Sequence, residues 1–598
     1  MGNEKELKEN RGNPILNVIK AEWEYLGSRR KVFLIFLLLF TIAGLIGLMT
    51  PLVVGLIFNS IQNSITLEAE FRKLLILISL LLFINIGFWI FHGIARVLEE
   101  RTSFFVRRNY TNKKINQVLE LPIKWHKDHH SGETIDKINR ASGAIESFSS
   151  SFTGQIIYAI INIFGSLIIL FFVDLKIAFF AFIFSSLILF IIIKFDKKLR
   201  VYYKELNTYS NKVSSALFDY ISNIFTVITL RLKKTVAQEI DERLMVSHDT
   251  NKKAIILNEI KWGFGDIALS LMTVLVLIFK AYTDYKVSGI IMIGTIYIVY
   301  GYLERAGGTF QRFAQIYGDI VRYDARLKGA SSIDDAFEKV KQEVGEKLPY
   351  DWEKIELKNF DFKYDQEGEK KHLNKINIIF KRGQRIALIG ESGSGKSTIL
   401  SLMRGLYPPD KGEVYCDGKK LSHGPTRLKH HITLIPQDPE IFNNTIRYNV
   451  TMDLRVKKEY MEKAIEMAQF GKVVDRLEKG LDTNVMEKGV SLSSGEKQRL
   501  ALARGILAAR KSEILLLDEP TSSVDSLNEM KIHESLFSVF RKKTIISSIH
   551  RLHLLKNFDY IYMFDKGKIV AEGTLEEIKK NQRFKKVWKK YGMTKEIR

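Results

Sequence analysis

Apolar residues are distributed in two different ways along this chain. From Val32 to about residue 305, long Ile/Leu/Phe runs alternate with charged stretches. Beyond about residue 327 they fall into short strand-length and helix-period groups separated by turn residues. Six segments approach the roughly 20 residues a helix needs to cross a bilayer: 32–58, 71–97, 152–173, 176–195, 264–281 and 288–303. The third and fourth form one apolar stretch too long for a single crossing, so Asp174-Leu175-Lys176 is the expected hairpin tip. Gly289, Gly294 and Gly301 dilute the sixth. Residues 1–31 are polar, and Pro14–Lys31 reads as an amphipathic interfacial helix with Trp23 and Tyr25 at headgroup depth. The first apolar run is too long for a signal h-region, so it reads as an anchor. The pattern predicts a polytopic all-α membrane domain (32–326), a linker (327–352) and an α/β domain with a helical subdomain (353–598).

Charge changes that picture only by orienting it. The formal net charge is +23, which raises nucleic-acid binding as a possibility. Much of the excess lies between apolar runs: Arg101, Arg107, Arg108, Lys113 and Lys114, then Lys197, Lys198, Arg200, Lys233, Lys234, Lys252 and Lys253. The positive-inside rule places such loops in the cytoplasm beside anionic lipid, and no aromatic-interleaved basic module favours nucleic acid. The predicted inside loops (98–151 and 196–263) are long and the outside ones short, with the N-terminus inside. A single cysteine, Cys416, excludes a disulfide framework and reads as a buried strand residue. His126, His129 and His130 have a spacing that allows a metal, but solvated or capping histidines suit a loop helix better. Asn85, His92, Asn162, Tyr297, Tyr300 and Tyr302 are polar positions inside spans, either functional or bonding between helices.

The second half carries the chemistry. Ile386-Ala387-Leu388-Ile389 reads as a buried strand leading into Gly390-Glu391-Ser392-Gly393-Ser394-Gly395-Lys396-Ser397-Thr398. Such glycines let backbone N–H groups curl around phosphate; Lys396 neutralises the β/γ-phosphates, Ser397 is a Mg²⁺ ligand, and the helix dipole adds to both. Ile514–Leu517 is a hydrophobic strand ending in Asp518 and Glu519. Asp518 suits the Mg²⁺ shell, and Glu519 suits a general base on the attacking water.

Between these elements lies Leu492-Ser493-Ser494-Gly495-Glu496, followed by Lys497-Gln498-Arg499. This loop resembles the signature of ATP-binding cassette (ABC) proteins. The fused arrangement, with six spans and long inside loops, resembles an ABC exporter half-transporter. The resemblance implies ATP and Mg²⁺ as cofactors. It also implies that Ser493, Ser494 and Gly495 bind the γ-phosphate held by a second half-transporter. Tyr364 resembles the aromatic that stacks on adenine, and Gln437 the glutamine that reaches Mg²⁺. Asp525 lies in the D-loop match Ser523-Val524-Asp525, and His550 resembles the switch histidine on the γ-phosphate. Trp125–Glu133 and Ser222–Val227 are similar to the family's coupling-helix regions, and Glu487-Lys488-Gly489 to the exporter loop that senses them.

Three positions depart from the family pattern. Ser494 replaces a glycine and is expected to weaken one composite site, Glu496 replaces a glutamine, and Met486 replaces a frequent glycine. The implied assembly is a dimer, either of two such chains or of this chain with an altered partner. The implied activity is ATP-driven export, or flipping, of an amphipathic, lipid-like, drug-like or peptide cargo by alternating access, in a prokaryotic plasma membrane. Nothing resembling a peptidase domain precedes the first span, which argues against leader cleavage in cis. An ATP-gated channel or a regulatory protein with little turnover is the alternative; Glu519 and His550, which mere binding does not need, argue against it.

Overall fold

The computed structural model describes residues 13–63, 68–129, 131–340, 348–349, 351–364, 371–422, 424–438, 440–485 and 492–592. Met486, Glu487-Lys488-Gly489, His130 and most of the linker's second half lie outside the described residues. The chain divides into two compact units. One runs to Leu121 and resumes over Asp128–Lys339; the other comprises Pro122–Lys127 and everything from Val340 onward.

The membrane unit is helical. Asn13 opens helix Pro14–Tyr25 by accepting the Ile15 N–H at 3.0 Å. Val18, Glu22 and Tyr25, spaced four and three residues apart, form its buried face. The helix ends at Tyr25 rather than continuing to Lys31, and a short tight turn (Gly27–Arg29) follows. The first apolar run is two helices, Arg30–Leu48 and Thr50–Gln62, because Pro51 cannot donate to the preceding turn. Helix Glu68–Glu120 has 53 residues, about 80 Å at 1.5 Å per residue, far more than a bilayer needs. Its buried positions past the apolar stretch (Glu99, Thr102, Ser103, Val106, Tyr110, Lys114, Gln117) recur every three or four residues.

The hairpin expected at Asp174 is present. Asp174 adopts extended backbone and accepts the N–H groups of Lys176 (2.9 Å) and Ile177 (3.4 Å), starting helix Leu175–Ser222. Short helices Ile123–Asp128 and Ile224–Thr229 occupy the two predicted coupling regions. Helix His248–Ser288 stops at Gly289, whose φ of 69° is the left-handed cap glycine supplies most cheaply. The next helix is therefore Ile293–Gly329, not 288–303. Among the described residues, five helical segments are long and apolar enough to cross a membrane, and this sixth helix is not one of them. Its glycines serve packing instead: a Cβ on Gly294 would stand 1.9 Å from the Gly55 carbonyl oxygen. Tyr302 is buried and donates to the Leu48 carbonyl at 2.9 Å, a helix-to-helix bond.

The ATPase unit holds two sheets. Strands β1 (Lys354–Phe362), β2 (Leu373–Lys381), β4 (Lys411–Cys416) and β5 (Lys419–Lys420) pair antiparallel in the order β2-β1-β4-β5. The second sheet contains β3 (Arg385–Ile389), β6 (Ile432–Ile435), β7 (Ile514–Asp518), β8 (Thr544–Ser548), β9 (Tyr560–Asp565) and β10 (Lys568–Gly573). Its order is β10-β9-β3-β8-β7-β6, parallel except for β10. Every residue of β7 and β8 is buried, which explains the unbroken apolar run Ile514–Leu517 of β7. Helices Ile446–Thr451, Lys458–Met467, Gly471–Arg476 and Ser494–Ala509 form the helical part. Cys416 is buried at the end of β4.

Candidate nucleotide-hydrolysis site

Strands β3, β8 and β7 are parallel neighbours, so the loops leaving their carboxyl ends open at one edge of the sheet. The Gly390–Thr398 loop follows β3, Glu519 follows β7 and His550 follows β8. Gly390, Gly393 and Gly395 have φ values of 150°, 77° and 110°, a region costly for other residues. A Cβ on Gly390 would lie 2.3 Å from the Phe564 carbonyl oxygen, and one on Gly395 would lie 2.7 Å from Leu373 Cδ2. At Gly393 nothing lies within 4 Å, so the loop interior is open there.

Lys396 is buried at the start of helix Lys396–Met403 and donates to the carbonyls of Gly390 (2.9 Å) and Glu391 (3.1 Å). Burial pushes its ammonium below the usual lysine range, against the opposing pull of Glu519 and Asp518. Ser397 Oγ donates to Asp518 Oδ1 at 2.9 Å, and burial raises the Asp518 carboxyl. Ser394 Oγ is buried without a hydrogen-bond partner among the described residues. An open glycine loop, a buried cation, an unsatisfied hydroxyl and a Ser–Asp pair fit a nucleotide polyphosphate with a divalent cation.

Glu519 takes a left-handed backbone (φ 45°), costly for a non-glycine residue. Its Oε1 is ion-paired with His550 Nε2 and accepts Ser548 Oγ at 3.5 Å; its Oε2 accepts Gln437 Nε2 at 3.0 Å. Burial alone would raise this carboxyl, but the hydrogen bond and charge of His550 outweigh it, and Glu519 sits below the usual carboxylate range. The side-chain NH₂ of Gln437 thus faces Glu519, leaving its amide oxygen as the group for a cation. Tyr364 is exposed on one side, its hydroxyl 3.4 Å from Thr398 Oγ1, and Tyr407 and His372 pack edge-on to its ring. Ser392 lies exposed in the glycine loop.

The signature residues stand apart from this cluster. Ser493 caps helix Ser494–Ala509, its Oγ accepting the Glu496 N–H at 3.4 Å while Glu496 Oε2 accepts the Ser493 N–H at 2.9 Å. Glu496 also pairs with Arg476 at 2.7 Å, so the departure from glutamine completes both a cap and an ion pair. Ser494 is exposed, whereas a Cβ at Gly495 would meet the Ser523 carbonyl oxygen at 2.7 Å. Among the described residues, no hydrogen bond joins Ser493, Ser494 or Gly495 to the glycine loop. Asp525 caps helix Ser526–Val539 by accepting the Asn528 N–H at 3.0 Å.

Two residues escaped the sequence reading. Gln498 is buried, donates to the Gln437 carbonyl (3.2 Å) and to Ser522 Oγ (2.7 Å), and accepts the Ser523 N–H (2.8 Å). Arg551 bonds Glu529 at 2.6 Å, the Val524 carbonyl at 3.0 Å and Ser526 at 3.2 Å, tying the segment after His550 to the Ser523–Asp525 turn. Their position beside the signature and the histidine was visible in sequence; their hydrogen-bond partners were not.

A membrane region fused to this site defines a class. The family model "ABC transporter" matches residues 373–522, and "ABC transporter transmembrane region" matches residues 33–301. The chain belongs to the ABC transporters as an exporter half-transporter, and it is an ATP-hydrolysing membrane exporter. Among its relatives, a putative export ATP-binding/permease protein of Rickettsia bellii is 27% identical over 536 residues, 88% of this chain and 90% of that one. The probable multidrug resistance ABC transporter ATP-binding/permease protein YheH of Bacillus subtilis is 27% identical over 468 residues, 77% of this chain and 68% of that one. A solved bacterial Atm1-family ABC exporter with ATP bound shares the fold at a TM-score of 0.78 and 22% identity, covering 95% of this chain and 99% of that one.

Proposed function

We propose that the chain works as one half of a dimer, two copies or this chain with a related partner, which exports an amphipathic cargo by alternating access. ATP lies between the Gly390–Thr398 loop of one half and Ser493, Ser494 and Gly495 of the other. The observation that carries this reading is the separation within one chain. Lys396, Ser397, Asp518, Glu519 and His550 converge, while among the described residues the signature turn makes no hydrogen bond to their loop. Tyr364 receives the adenine, and Lys396 with the loop N–H groups holds the phosphates. Mg²⁺ held by Ser397, Asp518 and the Gln437 amide oxygen would screen phosphate charge. Glu519, its carboxylate kept ionised by His550, accepts a proton from the attacking water. His550 also contacts the γ-phosphate, and Asp525 fixes the turn that faces the partner.

ATP favours the closed dimer only through its higher affinity for that state, and the cavity turns outward on closure. Basic inside loops support a plasma-membrane location with the N-terminus and ATPase unit in the cytoplasm. The test is phosphate release by purified, reconstituted protein with and without Glu519→Gln. Turnover lost with ATP binding retained supports the reading; unchanged turnover removes Glu519 as the base.

A further inference from the structure

The membrane unit contains a cavity of about 520 Å³ lined by Gly44, Gly47, Phe88, Tyr158, Asn162, Glu304, Arg305, Gly308, Thr309 and Arg312. Its size is that of a site for a small organic molecule. One wall is aromatic and fixed in place. Phe88 stacks on His92 with ring centroids 5.0 Å apart, and His92 Nδ1 is hydrogen-bonded to the Tyr158 hydroxyl at 2.8 Å. The lining also includes one face of helix Ile293–Gly329, on which Glu304, Gly308 and Arg312 follow at four-residue spacing and Arg305 lies alongside. A Cβ on Gly308 would meet nothing within 4 Å, so glycine there leaves the space open.

On this wall Arg305 is half-buried, while Glu304 and Arg312 are exposed. The more enclosed lysines of the unit have carboxylate partners: Lys114 with Asp334, Lys261 with Asp196, Lys280 with Asp174 and Asp284. Among the described residues, Arg305 and Arg312 have no ion pair, although Glu304 is adjacent in sequence. The wall therefore carries two guanidiniums against one carboxylate. A cation on a cavity wall that has no carboxylate partner is open to a ligand's anion. The apolar run ends at residue 303, and nothing in the local pattern marks the next turns as lining a cavity.

We propose that this cavity binds a net-anionic amphiphile. Its carboxylate, phosphate or sulfonate sits on Arg305 and Arg312 and its apolar or aromatic body lies against Phe88 and Tyr158. Guanidinium is the cation suited to this, since its planar fork meets an oxyanion with two parallel hydrogen bonds. Glu304 sets the site against ligands with several negative charges. The inference rests on the exporter reading and narrows its cargo. A membrane phospholipid headgroup and a soluble organic anion would present the same chemistry.

The test uses the full-length dimer in phosphatidylcholine nanodiscs and two matched fluorescent probes, anionic dansylglycine and cationic dansylcadaverine. Dansylglycine is expected to bind about tenfold more tightly or better, the worth of one charge-assisted contact. Arg305→Gln and Arg312→Gln should each erase most of that preference, Arg305→Lys should restore part of it, and Gly308→Leu should weaken both probes by filling the space. Folding of each variant is followed by its ATP-induced thermal shift. Repeating the titration in phosphatidylglycerol nanodiscs separates the sources. Competition by that lipid assigns a headgroup; unchanged affinity assigns a soluble anion. Equal binding of the two probes, or a preference that survives the double Arg305→Gln/Arg312→Gln change, overturns the inference. The exporter reading is scored separately, by whether hydrolysis depends on Glu519.

Discussion

In the ATPase unit, Lys396, Asp518, Glu519 and His550 are gathered from the ends of three neighbouring strands into one pocket; in the membrane unit, Lys114, Lys261 and Lys280 are each taken up by carboxylates on neighbouring helices or one turn away. The first arrangement concentrates charge where a substrate completes it, and the second neutralises charge to hold long helices in register. The difference gives a rule for this molecule. Paired interior charges are structural ties; Arg305 and Arg312, without an ion pair among the described residues, are the cations proposed to meet a ligand.

The strongest way to break the comparison is Glu519→Gln. Removing a positioned general base should slow ATP hydrolysis about a hundredfold or more, read as phosphate release, while ATP binding persists. A near-normal rate would make the Glu519–His550 pair another structural tie. Next comes Lys261→Met, which strands Asp196, whose Oδ2 is already buried without a partner. Breaking a buried pair costs about 3–5 kcal/mol, and replacing both partners with apolar residues recovers most of it. Thermal unfolding of Lys261→Met and of Lys261→Met with Asp196→Leu should therefore differ clearly. If both match the parent, the pair holds nothing.

A smaller effect is expected from Gln498→Ala, which removes bonds to Gln437, Ser522 and Ser523 at once. Buried polar groups left short cost about 1–3 kcal/mol. The loss should appear in kcat with little change in KM for ATP, because Gln498 touches the turns around the site and not the glycine loop. The smallest effect concerns pH. Glu22 is buried on helix Pro14–Tyr25, and burial, with the charge of Glu99 adding, raises its carboxyl from 4.5 to about 7. The folded form therefore holds a proton the unfolded form has lost between those values, and docking of this helix weakens as pH rises through about 7. Hydrogen-exchange protection over residues 14–25, after correction for the intrinsic rise of amide exchange with pH, should be greater at pH 5 than at pH 8, and Glu22→Gln should abolish that difference.

How much of this was readable in sequence follows from what each signal depends on. The Asp174 break rests on one cap and emerged where expected; five of the six expected spans fall in helices long and apolar enough to cross a membrane, most of which run well beyond them, and the sixth does not. The first run's division at Pro51 and the sixth helix's start at Ile293 depend on Pro and Gly geometry inside apolar segments, which average hydropathy hides. In the ATPase unit the glycine loop and the Asp518-Glu519 pair announce themselves because phosphate chemistry needs those residues at that spacing. Glu496 is a different case: a departure from the family's glutamine, it closes a capping box and pairs with Arg476. Gln498, Arg551, Arg305 and Arg312 owe their interest to partners, or to a lack of partners, far away in sequence. No local pattern carries that.

The central claim is that each nucleotide is hydrolysed between two chains, and complementation in mixed dimers tests it most directly. One chain carries Lys396→Met, which disables its phosphate loop. The other carries Ser494→Arg, a bulky group at an exposed signature position that spares the fold. Each homodimer should be inactive. Co-assembled and purified through two tags, the mixed dimer should regain hydrolysis, because one seam then joins an intact loop to an intact signature. A mixed dimer as inactive as its parents would place the whole reaction within a single chain and contradict the account.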